Sequence, residues 1–161
     1  MNKNLIFKII TVVLAVVTIV VGSLIVIKNV GDSVVYVENT NALVGDTVEL
    51  PICIKKNPGI WGGQIIVEYD SKYFSFVSLS NGTVFDGVEV NDTGDSVVLL
   101  ATQTALKNTN KNGVIATMKF TVKSSATKGD HDFKIDKESN FCKANEKMVE
   151  PVLKDGKITI K

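Results

Sequence analysis

Along most of the chain, apolar and polar residues alternate in short runs, and each run ends at Gly, Asn, Asp or Ser. TVELPICIK, Thr47 to Lys55, is the clearest case, with Val48, Leu50, Ile52 and Ile54 on one parity. A period of two places those side chains on one face of a strand. The same reading predicts strands at Val34–Glu38, within Gly59–Asp70, and at Phe74–Ser80, Val84–Val90, Ser96–Thr102, Gly113–Val122, Asp132–Ile135 and Gly156–Ile160. Asn39-Thr40-Asn41, Asn57-Pro58-Gly59, Asn81-Gly82, Asn91–Asp95 and Lys128-Gly129-Asp130 supply the turns between them. Pro51 cannot donate to a ladder, which predicts a bulge or a locally unpaired edge in its strand. Nine short strands and no amphipathic helix predict an all-β sandwich or jelly roll.

Two of these strands are apolar on both sides. Ile65, Ile66 and Val67 are consecutive, and in Ser96–Thr102 both parities are apolar: Val98 and Leu100 on one, Val97, Leu99 and Ala101 on the other. With Ile65, Val67 and Tyr69 turned to the core, the outer face of a sheet containing both strands is expected to carry Ile66, Val97, Leu99 and Ala101. Gln64, Glu68 and Thr102 fringe it. An apolar patch with a polar rim is the mark of a protein partner.

A different pattern precedes the alternating body. Residues 9–27 form an almost unbroken apolar run, with Lys3 and Lys8 before it and Lys28 after. Roughly 20 apolar residues cross a bilayer, so residues 1–28 read as an N-terminal transmembrane anchor and 29–161 as one domain. The lysine distribution points the domain outward. A small-residue stretch, Val21-Gly22-Ser23, leaves open a cleaved signal and a secreted protein. In either case the domain is extracellular.

Composition narrows the partner. Lysines and acids nearly balance in the body and arginine is absent, so neither a nucleic-acid footprint nor bidentate phosphate recognition is indicated. Cys53 and Cys142 form a candidate disulfide, since an exported domain keeps one; outward parity in different strands argues against their meeting.

Catalytic chemistry has no seat here. His131, the single histidine, lies in a charged turn and reads as a surface residue, so neither a triad nor a zinc cluster can be assembled. Asp92 and Asp95 share a turn without the ligand spacing of a calcium loop. No cofactor is implied. Trp61 is either a sugar-stacking platform, with Tyr69 and Tyr73, or packing at the sandwich end.

Three segments carry a family likeness. VGDTVELPICI (Val44–Ile54), PGIWGGQIIVEYD (Pro58–Asp70) and NGVIATMKFTV (Asn112–Val122), followed by the closing DGKITI, resemble in order and spacing the cohesin modules of cellulosomes. The resemblance covers about Val34 to Ile160. It implies a nine-stranded jelly-roll β-sandwich, not an enzyme, that docks dockerin modules on one flat sheet face. In this family the third and sixth strands contribute to that face, and they align with the two doubly apolar strands. With the parity reading above, the partner-binding residues are expected to be Gly62, Gln64, Ile66, Glu68, Val97, Leu99, Ala101 and Thr102. Gly62 and Gln64 stand where many cohesins place asparagine and aspartate, and Thr102 where an acid is common. Calcium belongs to the dockerin and not to this chain. The sequence reading is therefore a membrane-tethered, extracellular dockerin receptor. A carbohydrate-binding module, or a sandwich subunit of a surface adhesin, is the alternative.

Overall fold

The structure is a computed structural model, and residues 33–161 are described. The apolar run 9–27 lies outside the described residues. Among the described residues there is no helix, and so none long and apolar enough to cross a membrane.

Thirteen strand segments build two packed sheets: β1 Val34–Val37, β2 Thr40–Ala42, β3 Thr47–Lys55, β4 Gly62–Glu68, β5 Phe74–Asn81, β6 Gly87–Asp92 and β7 Ser96–Thr102 come first. β8 Gly113–Val122, β9 Gly129–Ile135, β10 Asn140–Cys142, β11 Met148–Val149, β12 Val152–Lys154 and β13 Gly156–Ile160 follow. One sheet has the order β12-β1-β3-β8-β5, and the other runs β11-β10-β4-β9-β13-β2 with β7 on the free edge of β4 and β6 beyond it. β4 is shared on one edge: β10 pairs with its first half and β9 with its end.

Nine strands were expected, and the extra segments have a common physical origin. Asn39-Thr40-Asn41, expected as a turn, is instead where the chain changes sheets, leaving β1 and pairing β2 in parallel with β13. The short β10, β11 and β12 close edges that a single long strand does not reach. Asn91 and Asp92 extend β6, and Gly129 to His131 belong to β9, because each has a partner strand alongside to take its backbone groups.

Pro51 and its neighbours behave as the proline predicts. The register of β3 on β8 slips between Ile52 and Cys53, a bulge that breaks the alternation and buries Ile52, Cys53 and Ile54 in succession. The core between the sheets is dominated by Leu50, Ile52, Ile65, Leu99, Met118 and an aromatic group of Tyr69, Phe74, Phe120 and Phe133. Phe120 meets Phe133 edge-on at 5.0 Å and Tyr69 at 5.0 Å, the arrangement that the ring quadrupole favours.

The loops gather at two ends. At one, Trp61 is clamped: its backbone N–H donates to Cys142 O at 2.8 Å and its indole N–H to Ala105 O at 2.8 Å, while its carbonyl accepts from Gln103. Asn57 ties the neighbouring turn to Lys111 O and Asn112 Oδ1. This is the end at which β1 begins, since Val34 lies beside both Lys55 and Val152.

Candidate partner face

Why β4 has two apolar faces follows from its place. Ile65, Val67 and Tyr69 are buried in the core, as their parity requires, while Gln64, Ile66 and Glu68 point away from it. Gly63 lies on the inner side, where a Cβ would stand 2.6 Å from both Asn140 O and the Phe141 ring. Glycine there lets β10 close in and Phe141 fill the core.

β7 lies antiparallel on β4 in continuous register, with Gly62 opposite Thr102, Gln64 opposite Leu100, Ile66 opposite Val98 and Glu68 opposite Ser96. That pairing corrects the expected outer patch. Val97, Leu99 and Ala101 are core residues, each exposed by no more than 1%, and Val98 and Leu100 are the half-buried residues on the outer face. Both parities of β7 are apolar, so hydrophobicity alone could not choose between them. The polar ends could: Ser96 and Thr102 share the parity of Val98 and Leu100, and a strand buried on one side keeps its polar residues on the other.

The outer face is therefore a grid. One row reads Cys142, Gly62, Thr102 and Gly87; the next reads Asn140, Gln64, Leu100 and Glu89. Ile66, Val98 and Asn91 form the third, and Lys134, Glu68 and Ser96 the fourth. Its centre is apolar (Ile66, Val98 and Leu100), and a carboxylate stands on either side at Glu68 and Glu89. The glycines keep the first row low. Where β4 passes from β10 to β9, Ser139 Oγ accepts from Ile66 N at 3.0 Å and Asp136 N donates to Ile66 O at 2.9 Å. The backbone of β4 is thus satisfied where its neighbour changes, and what this strand offers a partner is side chains.

Of the expected residues, Gly62, Gln64, Ile66, Glu68 and Thr102 share this face. Glu89, Asn91, Lys134, Asn140 and Cys142 belong to it as well and were not expected. Alternation gives a strand's faces but not its neighbours, so residues on β6, β9 and β10 could not be attached to β4 without the register.

The other candidates also find their places. Cys53 and Cys142 are free thiols in different sheets, which corrects the candidate disulfide. Burial first, then the charge of Glu38, pushes the Cys53 thiol up to about 11; burial also raises that of Cys142. The Asp92–Asp95 turn is held from within, with Gly94 N donating to Asp92 Oδ1 and Thr93 Oγ1 to Asp95 Oδ1. His131 lies on β9, half-buried, with its ring edge-on to Tyr73 and Phe74 and Nε2 at 2.7 Å from Thr127 O.

The family model described as Cohesin domain matches residues 33–160, and the chain belongs to the cohesin domain family. Among solved structures, a chain of a type I cohesin–dockerin complex from Clostridium thermocellum is 28% identical over 81% of this chain and 94% of that one, with a TM-score of 0.73. The seventh ScaB type I cohesin from Pseudobacteroides cellulosolvens is 22% identical, covering 81% and 92% of the two chains with a TM-score of 0.72. A non-cellulosomal cohesin from the archaeon Archaeoglobus fulgidus is 12% identical, covering 81% and 91%, with a TM-score of 0.71. The last two likenesses carry the fold alone. No curated protein sequence matches the chain.

Proposed function

We propose that this domain is a noncovalent receptor for a dockerin-type partner, bound on the outer face of β4, β7, β6 and the β10–β9 edge. The observation that carries the reading is the apolar centre of Ile66, Val98 and Leu100. The core side of the same strands is already filled by Ile65, Val67, Val97 and Leu99, so the outer residues are not there for internal packing. A flat, preformed sheet face with an apolar middle and charged margins suits a pair of amphipathic helices. The likeness to a chain of a cohesin–dockerin complex supports that class of partner.

Recognition is noncovalent, and any calcium belongs to the partner. Burying Leu100 and Val98 would supply the affinity, and Gln64, Asn91 and Asn140 the hydrogen bonds that fix orientation. Glu68 and Glu89 favour a partner with lysine or arginine on its flanks. The apolar run 9–27 fits an anchor that holds the domain outside the cell membrane, as part of a polysaccharide-degrading assembly.

The carbohydrate-binding alternative leans on Trp61, whose indole N–H is committed to Ala105 O. Binding of dockerins to the domain, compared with retention on insoluble polysaccharide, tests the choice. Binding to a dockerin that Leu100→Asp removes supports the receptor; retention on polysaccharide that Trp61→Ala removes overturns it.

A further inference from the structure

The two ends of the sandwich differ in charge. The end where the chain enters is closed by the loops around residues 55–61, 82–86, 103–112 and 143–147, which are tied together through Trp61, Asn57, a bond from Gln103 Nε2 to Val84 O and one from Ala144 N to Asn108 Oδ1. These loops and the ends of their strands carry Lys55, Lys56, Lys107, Lys111, Lys143 and Lys147 against Asp86 and Glu146. Even with Glu150 of the neighbouring link counted, this end is strongly basic, while the rest of residues 33–161 holds nine lysines and thirteen acids. The end also carries Leu106, which at 79% exposure is the most exposed large apolar side chain among the described residues.

Where the chain enters matters as much as the charge. Ser33 O accepts from Val152 N at this end, and five residues, 28–32, separate Ser33 from the apolar run. Fully extended, they reach at most roughly 18 Å. If the run is an anchor, as proposed above, this end of the domain is the one that faces the bilayer.

We infer that the entry end, with Leu106, Lys107, Lys111, Lys143 and Lys147 on its loops, lies against an anionic lipid headgroup surface. Lysines within a Debye length of such a surface are attracted to it, and an exposed leucine on the same loops adds apolar contact. β4 and β7 begin or end at this surface and run away from it, so the partner face stands on the flank of the domain and stays open. The basic end acts as a foot that sets the domain's tilt.

The full chain, reconstituted into vesicles, tests this by flotation and by the rate at which each lysine is acylated, read by mass spectrometry. In vesicles of phosphatidylcholine with phosphatidylglycerol, Lys107, Lys111, Lys143 and Lys147 should react about fivefold more slowly than in phosphatidylcholine alone. Lys72, Lys123, Lys128 and Lys161 at the far end should not change, and molar salt should remove the difference. Lys107→Glu, Lys111→Glu and Lys147→Glu together should return Lys143 to its rate in neutral vesicles. Flotation with both vesicles but equal rates would overturn the foot and leave the anchor standing. Flotation with anionic vesicles alone would keep the foot and overturn the anchor. Flotation with neither overturns both, and equal protection by soluble polyglycerol phosphate without anionic lipid would assign the lysines to a polymer, against the proposal.

Discussion

Leu99 and Leu100 are adjacent in sequence and lie on opposite sides of one sheet. Leu99 is fully buried between the two layers, and Leu100 is half-buried on the outer face, opposite Gln64 on one side and Glu89 on the other. Truncation should separate them. Leu99→Ala removes core volume and should cost about 2–5 kcal/mol of stability. Leu100→Ala should cost well under half of that, and paired urea unfolding curves measure the difference.

Gly63 should tolerate no side chain. A methyl group there meets Asn140 O and Phe141 at 2.6 Å, so Gly63→Ala must push β10 off β4. The expected loss is about 2 kcal/mol or more, with hydrogen exchange accelerating first at residues 140–142. An alanine variant with wild-type stability would refute the close approach.

Tyr69 gives the domain a signature in alkali. Burial first, then its hydroxyl's bond to Asp92 Oδ1 at 3.0 Å, pushes the phenol up to about 12. The unfolded chain releases that proton near pH 10. Between these values the native state binds more protons, so stability is fully present below about pH 10 and falls as the pH rises toward about 12. Tyr69→Phe should be less stable at neutral pH and flatter across that window. Because the lysines titrate in both proteins, the difference between the two stability curves is the quantity to read.

The thiols should report two free cysteines. Unfolded without reductant, the protein should give two thiol equivalents per chain, since Cys53 and Cys142 lie in different sheets. Native Cys53, 3% exposed and held protonated by burial and Glu38, should react far more slowly with alkylating reagents than in the unfolded chain. Loss of stability in dithiothreitol would contradict this.

How much of this was legible in the sequence differs from strand to strand. β3 alternates from Val48 to Ile52 and β8 from Ala116 to Val122, and over those stretches their faces follow from period two. β4 was legible too, because Tyr69 continued the parity of Ile65 and Val67 into the core. β7 was not, since Val97-Val98-Leu99-Leu100 is symmetric to a hydrophobicity rule and only Ser96 and Thr102 break the tie. β2, β10, β11 and β12 are too short for a period to register. Their formation is decided by neighbours distant in sequence, such as Ile158 beside Thr40 and Gly63 beside Phe141. The partner face draws residues from β4, β6, β7, β9 and β10, so its full outline needs that same long-range register.

On the function proposed above, the outer face of β4 and β7 is where a dockerin docks. Isothermal titration of residues 29–161 against a panel of calcium-loaded dockerins, repeated with Leu100→Asp, tests it most directly. A charge in the apolar centre should weaken binding at least about a hundredfold, roughly 2.7 kcal/mol, while the melting temperature stays near that of the parent. A panel in which no dockerin binds the folded domain, or a Leu100→Asp variant that binds as the parent does, would contradict it.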